Sequence, residues 1–293
     1  MRKTERENNK EEIKIRTGPA CSLVLFFYGP HDISWVREII IDLTKGRGGR
    51  HVKSSHFATV IQFENPLTGE AFYYKEFHNR GLKDLLKSLV GLTRSKRAFT
   101  AGHQLLKFGF PTPEPVIRGF VRTFFFIRKN FMITRAVSGD RTYEYFRHRY
   151  KLPLPPELLE EKRALIYKAG REIGRLHRAG IFHGDLRVGN LIIEGYGPAA
   201  KIYFIDNERT KSCGTLSERK RLKNLIQLNM VRLQHITGTD RIRFLNAYFQ
   251  ENQELLPHKK ELIRAVARMT KKRQQPKTSR RESLTRRDTN ILK

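Results

Sequence analysis

Cysteine is nearly absent: Cys21 and Cys213 are the two in 293 residues. That excludes a disulfide-stapled framework and a cysteine-built zinc site. Long apolar runs are missing too. The longest, Leu23-Val-Leu-Phe-Phe-Tyr28, is strand-sized, far short of the ~20 residues of a membrane span. The first residues, Met1-Arg-Lys-Thr-Glu-Arg6, lack the apolar stretch and small-residue cleavage site of a signal peptide. A soluble, cytosolic protein is the expectation. Negative charge is the other scarcity: 29 Asp and Glu face 58 Lys and Arg, a formal charge of +29. So basic a chain attracts phosphates, whether on nucleic acid, anionic lipid or a phosphorylated glycan, although part of the excess serves general solubility. Charge does not choose among these anions.

A hydrophobic content of 39% with 10% aromatic excludes disorder throughout, and the length suffices for one large core or two small lobes. Residues 1–18 read as a flexible charged arm and residues 271–293 as a disordered basic tail. Between them the pattern changes once. Thr59-Val-Ile-Gln-Phe63 and Ala71-Phe-Tyr-Tyr-Lys-Glu-Phe77 are strand-like, joined by Asn65-Pro-Leu-Thr-Gly69, a turn by composition. A basic helix is expected from about Leu82 to Phe108, stopped by Pro111-Thr-Pro-Glu-Pro115, then aromatic strands over Phe120–Arg128 and Phe131–Val137. From Glu157 to Ala179, Leu158, Leu165, Ile166, Ala169, Ile173 and Leu176 recur at helical spacing, with Gly180 as the stop. Ser217–Thr237 and Arg241–Gln250 also read as helices. The fold class is α+β in two lobes: a β-rich lobe over 19–135 and an α-rich lobe over 136–270. Nucleotides tend to bind between such lobes.

Chemistry concentrates in Ile181-Phe-His-Gly-Asp-Leu-Arg-Val-Gly-Asn-Leu-Ile-Ile193, followed by Lys201-Ile-Tyr-Phe-Ile-Asp206. His183, Asp185 and Asn190 stand in an H-x-D-x-x-x-x-N run, and a second Asp closes the next apolar run. Phosphoryl transfer to a hydroxyl needs these pieces: an acid to orient the nucleophile, and an Asn and an Asp to hold Mg²⁺ on nucleotide phosphates. The bland alternative is a strand-turn-strand whose His and Asp cap turns. His183 and His177 read as packing and hydrogen-bonding residues. The order helix, loop, Asn190, strand, Asp206 resembles the C-lobe core of protein-kinase-like folds. By that resemblance Asp185 is catalytic, while Asn190 and Asp206 bind Mg²⁺. Lys75, within Phe72-Tyr-Tyr-Lys-Glu-Phe77, resembles the strand lysine that meets the α and β phosphates of ATP; an outward-facing lysine on an alternating strand is the alternative. Lys53-Ser54-Ser55-His56 is the expected phosphate-covering turn, although no G-x-G-x-x-G and no P-loop is present.

Over roughly Arg50 to Tyr248 the chain resembles bacterial lipopolysaccharide kinases of the Kdo/WaaP type. The resemblance rests on the Tyr-Tyr-Lys75 strand and on the segment from Ser95 to Gly109-Phe-Pro-Thr-Pro113. The His183-Gly-Asp-Leu loop, Ile205-Asp-Asn-Glu-Arg209 and Arg241-Ile-Arg-Phe-Leu-Asn-Ala-Tyr248 add to it. It implies ATP and Mg²⁺ as cofactors and a heptose or Kdo hydroxyl of lipopolysaccharide core as acceptor. The expected place is the cytoplasm, at the inner face of the cytoplasmic membrane, against an anionic lipid surface; nucleic acid is not the expected partner. Protein kinases pair the strand lysine with a helix glutamate, but Leu92–Phe108 holds no acid, so either His103 or Gln104 stands near Lys75 or Lys75 meets phosphate without a carboxylate partner. Glu208 reads as a salt-bridge partner for Arg209. Only about ten residues separate Asp206 from the next helical pattern and no Ala-Pro-Glu follows, which argues against a protein substrate. A kinase of another small-molecule or lipid hydroxyl, and a non-catalytic kinase-like binding protein, remain the alternatives.

Overall fold

The computed structural model describes residues 10–18, 21–28, 36–78, 81, 91–124, 126–231 and 236–275. The chain divides into two compact units, Met1–Gly139 with Tyr203–Thr210, and Asp140–Ile202 with Lys211–Lys293. The first break falls at Gly139 rather than Arg135, and the segment carrying Asp206 belongs to the first unit.

The first unit is a seven-stranded sheet of order β1-β2-β6-β7-β5-β4-β3. Its strands are β1 (Lys10–Gly18), β2 (Cys21–Tyr28), β3 (Arg50–Ser55), β4 (Ala58–Glu64), β5 (Ala71–Phe77), β6 (Pro115–Thr123) and β7 (Phe126–Arg135). Every neighbouring pair is antiparallel. Period-two alternation puts Leu23, Leu25, Phe27, Ile61, Phe63, Phe72, Tyr74, Phe131 and Ile133 in one apolar cluster. Helix α1 (Val36–Thr44) adds Ile40 and Leu43 to it. Each such side chain contributes about 1.5–3 kcal/mol by leaving water. Helix α2 (Arg94–Lys107), N-capped by Thr93, buries Ala98, Phe99, Ala101 and Leu105 and packs on β6 and β7. The Asn65–Gly69 turn forms where composition places it, with Asn65 Oδ1 accepting the Leu67 N–H at 2.9 Å.

Several expectations change. The charged arm is not all loose chain: Lys10–Gly18 is an edge strand, anchored because Ile13 and Ile15 alternate inward among its charges. Residues 1–9 lie outside the described residues. Lys53, Ser54 and Ser55 lie in β3, not in a turn; this edge strand is almost wholly exposed, so it carries no apolar alternation to announce it. Of the helix expected from Leu82 to Phe108, the described residues show Arg94–Lys107, preceded by a break at 91–93; 82–90 lie outside the described residues. The turn expected between the two aromatic strands, near Asn130, sits instead at Phe124. Asn130 is buried within β7, where its amide donates to the Phe77 carbonyl and accepts the Ser95 N–H, both at 3.1 Å. The tail begins later, since a helix continues to Gln274; residues 276–293 lie outside the described residues.

The second unit is mostly helical: α3 (Thr142–Arg149), α4 (Pro156–Arg178), α5 (Glu218–Asn229), α6 (Gly238–Glu251) and α7 (Lys259–Gln274). Two helices expected from the pattern have adjusted bounds. The one from Ser217 is seen to Asn229, with 232–235 outside the described residues, and the one from Arg241 starts at Gly238. Short strands β8 (Asp140–Arg141), β9 (Ile181–Phe182), β10 (Leu191–Glu194), β11 (Lys201–Phe204) and β12 (Lys211–Ser212) pair as β11-β10-β8 and β12-β9. Helices α4 and α6 approach so closely that a Cβ on Gly170 would sit 2.3 Å from the Phe244 carbonyl oxygen, and one on Gly174 would sit 2.7 Å from the Glu251 Cβ. A buried Lys162–Asp240 ion pair at 2.9 Å joins the same two helices. Gly180 ends α4 at φ +70°, as its position predicts, and turns the chain into β9 and the loop that follows.

Candidate active site

In the first unit, β5 carries Lys75 at mid-strand, opposite Val60 on β4 and Met132 on β7. Its Nζ donates to Asp206 Oδ1 at 2.7 Å. Asp206 takes a left-handed backbone, φ +64°, which Asp tolerates better than most residues. The bend is pinned on both sides. Before it, the Phe204 N–H donates to the Pro111 carbonyl at 2.9 Å, and the Thr112 hydroxyl donates to the Phe204 carbonyl at 2.7 Å. After it, the Asn207 amide donates to Thr112 Oγ1 at 2.8 Å. The proline-rich segment after α2 therefore does more than stop a helix: it holds the turn that presents Asp206.

The missing helix acid has a structural answer of opposite polarity. Arg94, at the start of α2, directs Nε and Nη2 onto Glu208 Oε2 at 2.7 and 2.6 Å, with both side chains nearly inaccessible. Its Nη1 donates to the carbonyls of Phe57 at 3.0 Å and His78 at 2.8 Å. One guanidinium thus ties the β3–β4 turn, the end of β5 and the turn after Asp206. Glu208 is chiefly Arg94's partner; Arg209 stands at 3.8 Å. Lys75 finds its carboxylate in Asp206 rather than on the helix. At the β3–β4 turn, Ser55 Oγ accepts the N–H groups of Phe57 and Ala58 at 3.3 and 3.2 Å. Lys53, Ser54 and Ser55 thus lead into the turn His56–Phe57 that stands where a phosphate-covering loop was expected.

In the second unit, Asp185 follows Gly184 (φ +79°) and opens a tight loop. The Asn190 amide donates back to the Asp185 carbonyl at 2.8 Å, and the Asn190 N–H to the Arg187 carbonyl at 2.8 Å. That bond uses the donor end of Asn190, so its oxygen is the end able to ligate a cation. The Asp185 carboxylate is only 23% exposed, and Oδ1 receives Arg187 Nε at 2.9 Å and Gln227 Nε2 at 3.3 Å. Both contacts go to Oδ1, which leaves Oδ2 for the hydrogen of an acceptor hydroxyl.

Gln227 is the near end of a buried polar chain that the sequence did not reveal. Arg221 Nη1 donates to the Tyr248 hydroxyl at 2.6 Å. Burial pushes the Tyr248 phenol up to about 12, so it keeps its proton and donates it to His177 Nδ1 at 2.9 Å. Burial, with the Arg221 charge, pushes His177 down to about 3. His177 is therefore neutral, and its Nε2–H donates to Asn224 Oδ1 at 3.2 Å. That oxygen also accepts the His183 N–H at 3.3 Å. Asn224 donates to Gln227 Oε1 at 3.0 Å, which also accepts the Leu186 N–H at 3.2 Å. Every link donates in one direction, ending on the Asp185 carboxylate. The available signal was the spacing Arg221, Asn224, Gln227 on a helix, interleaved with apolar Leu225, Ile226 and Leu228.

Comparison with known proteins places the chain in a family. The sequence profile of the lipopolysaccharide kinase (Kdo/WaaP) family matches residues 39–248. The chain belongs to that family. Kdo/WaaP kinases are phosphotransferases acting on sugar hydroxyls, which makes this chain a kinase and implies ATP as phosphoryl donor. It is 26% identical over 212 residues to the lipopolysaccharide core heptose(I) kinase WaaP of Pseudomonas aeruginosa, covering 68% of this chain and 78% of that one. A shorter stretch of 79 residues is 39% identical to the KEOPS complex subunit Bud32 of Pyrococcus abyssi, 27% of this chain and 30% of that protein. Among solved structures, WaaP in complex with acyl carrier protein superposes with a TM-score of 0.61 at 21% identity, over 86% of this chain and 99% of that one. The WaaP fold is thus the fold seen here: mixed α and β, with a sheet-rich N-terminal unit and a helical C-terminal unit.

Among the described residues no helix is long and apolar enough to cross a membrane. None of them forms a cluster of three or more His, Cys, Asp or Glu fit to hold a metal. Magnesium needs no such cage, because it keeps waters and substrate phosphates and takes one or two protein oxygens. Asp206 in the first unit and Asn190 in the second each offer such an oxygen.

Proposed function

We propose that this kinase transfers the γ-phosphoryl group of Mg-ATP to a heptose hydroxyl of the lipopolysaccharide inner core. The observation that carries the reading is the Asp185 carboxylate, fixed through Oδ1 with Oδ2 free to take a hydroxyl hydrogen. A heptose is favoured over Kdo because the relative matched over most of its length acts on heptose(I).

Asp185 orients the acceptor hydroxyl and takes its proton as the hydroxyl oxygen bonds to the γ-phosphorus and the bond from that phosphorus to the β-phosphate oxygen breaks, releasing ADP. Lys75 binds nucleotide phosphate, exchanging its bond to Asp206 for one to a phosphate oxygen. Asn190 and Asp206 hold Mg²⁺, which when bound neutralises charge on the nucleotide phosphates. Lys53 and Ser54, exposed on β3 beside the turn that Ser55 braces, cover the phosphates with charge and hydrogen-bond donors. The acceptor is anchored in an anionic membrane, and the excess of Lys and Arg draws the protein to the cytoplasmic face of that membrane.

Phosphate transfer from Mg-ATP into purified core with and without its heptose tests the assignment. Incorporation only when heptose is present supports it. Equal incorporation into the heptose-free core moves the acceptor to Kdo, and none into either moves it to another hydroxyl.

A further inference from the structure

Strands β6 and β7 meet in a tight turn closed by the pair Thr123↔Phe126. Tight hairpin turns call for residues at ease with positive φ, usually Gly, Asn or Asp. Here the position is held by Phe124, at φ +50°, where a bulky side chain is an outlier. A strained backbone position kept by an aromatic residue points to a use for that side chain. Phe124 is 70% exposed and Phe126 is 55% exposed, so neither serves the core.

The setting is uniformly basic. From Pro115 to Arg135 the chain has no Asp or Glu, and neither does β2 alongside. The register aligns Arg16 of β1, Ser22 of β2 and Arg122 of β6 across the sheet at this end. Arg16, Arg122 and Arg128 are all exposed. Two exposed phenylalanines at the end of a strand pair that carries arginines and no carboxylate match the boundary of an anionic bilayer. Aromatic rings settle at headgroup depth there, and cations meet lipid phosphates.

We infer that the β6–β7 turn is a membrane-docking wedge, with Phe124 and Phe126 entering the interface of an anionic bilayer and Arg16, Arg122 and Arg128 on its phosphates. The inference rests on the reading of the acceptor as a membrane-anchored glycan and names the surface that brings the protein to it.

The test is co-sedimentation of the full chain with vesicles of phosphatidylglycerol and phosphatidylethanolamine, against phosphatidylcholine, at physiological salt. The wild type is expected to bind the anionic vesicles. Phe124→Ser/Phe126→Ser should lose at least tenfold in partitioning, and Arg122→Gln/Arg128→Gln about fivefold per arginine removed. Because the phenylalanines lie outside the core, thermal unfolding should be unshifted or raised. As an independent readout, Phe126→Trp in a Trp35→Phe background should be quenched by lipids brominated on the acyl chain. Binding equal to wild type in the serine variant, or a wild type that ignores anionic vesicles, overturns the inference. So does loss of self-association in place of vesicle binding, which would make the turn a contact between copies. Transfer to core oligosaccharide freed of its lipid reads the proposed function separately: the serine variant should retain it, and failure there by the wild type would refute the acceptor while leaving the vesicle result standing.

Discussion

Arg94 and Glu208 form an ion pair of 2.6 Å with side chains only 4% and 6% exposed. It joins the first turn of α2 to the residue two beyond Asp206. Protein-kinase-like sites commonly place the acid on the helix and the cation on the strand; here the helix gives the cation and the turn gives the acid. Removing one partner strands a buried charge, which costs about 3–5 kcal/mol. Urea unfolding should show losses of that order for Arg94→Met and for Glu208→Met. The double variant should recover most of the loss, because two apolar side chains bury without penalty. Additive losses would show that the pair is not the unit.

Gln227 is predicted to position Asp185 without touching substrate. Gln227→Leu should lower kcat about 10–100-fold, the effect of a small misplacement of a reacting group, with KM for ATP unchanged. Gln227→Glu places a second carboxylate beside Asp185, and like charges raise a carboxylate's pKa. The acidic limb of the pH–rate profile should therefore move to higher pH. A profile that keeps its shape while only thermal stability falls would reduce Gln227 to packing.

His177 gives the stability a pH dependence of defined sign. Its folded pKa is depressed to about 3 from an ordinary 6.5, so the unfolded chain binds the proton first. The contribution is complete above about pH 6.5 and is lost as pH falls toward 3. The slope approaches about 1.4 kcal/mol per pH unit. Denaturant titrations between pH 7 and pH 5 should show this fall, ahead of the carboxylates, and His177→Gln should flatten it. An unchanged slope in the variant would place the proton elsewhere.

What could be read in advance divides by the kind of interaction. Asp185, Asn190, Asp206 and Lys75 stand out in the sequence because the roles proposed for them fix both residue type and spacing. The core strands were legible from alternation, as in Phe72 and Tyr74, and the end of α4 from Gly180. Strands β1 and β3 were not, since β3 is almost wholly exposed and β1 sets only Ile13 and Ile15 among its charges. The turn at Phe124 carries no turn residue, whereas Asn130 looks like one and lies buried in a strand. The Arg94–Glu208 pair spans 114 residues, and the Arg221-to-Gln227 chain draws on α4, α5 and α6. Such long-range polar pairings leave no local pattern.

The central claim is that Asp185 activates a sugar hydroxyl for attack on Mg-ATP. Incorporation of labelled phosphate from ATP into purified lipopolysaccharide core, by the wild type and by Asp185→Ala, tests it most directly. The account predicts Mg²⁺-dependent transfer by the wild type and a fall of about 10²–10⁴-fold in kcat for the variant, with ATP affinity nearly unchanged. Transfer by Asp185→Ala at close to the wild-type rate would contradict it.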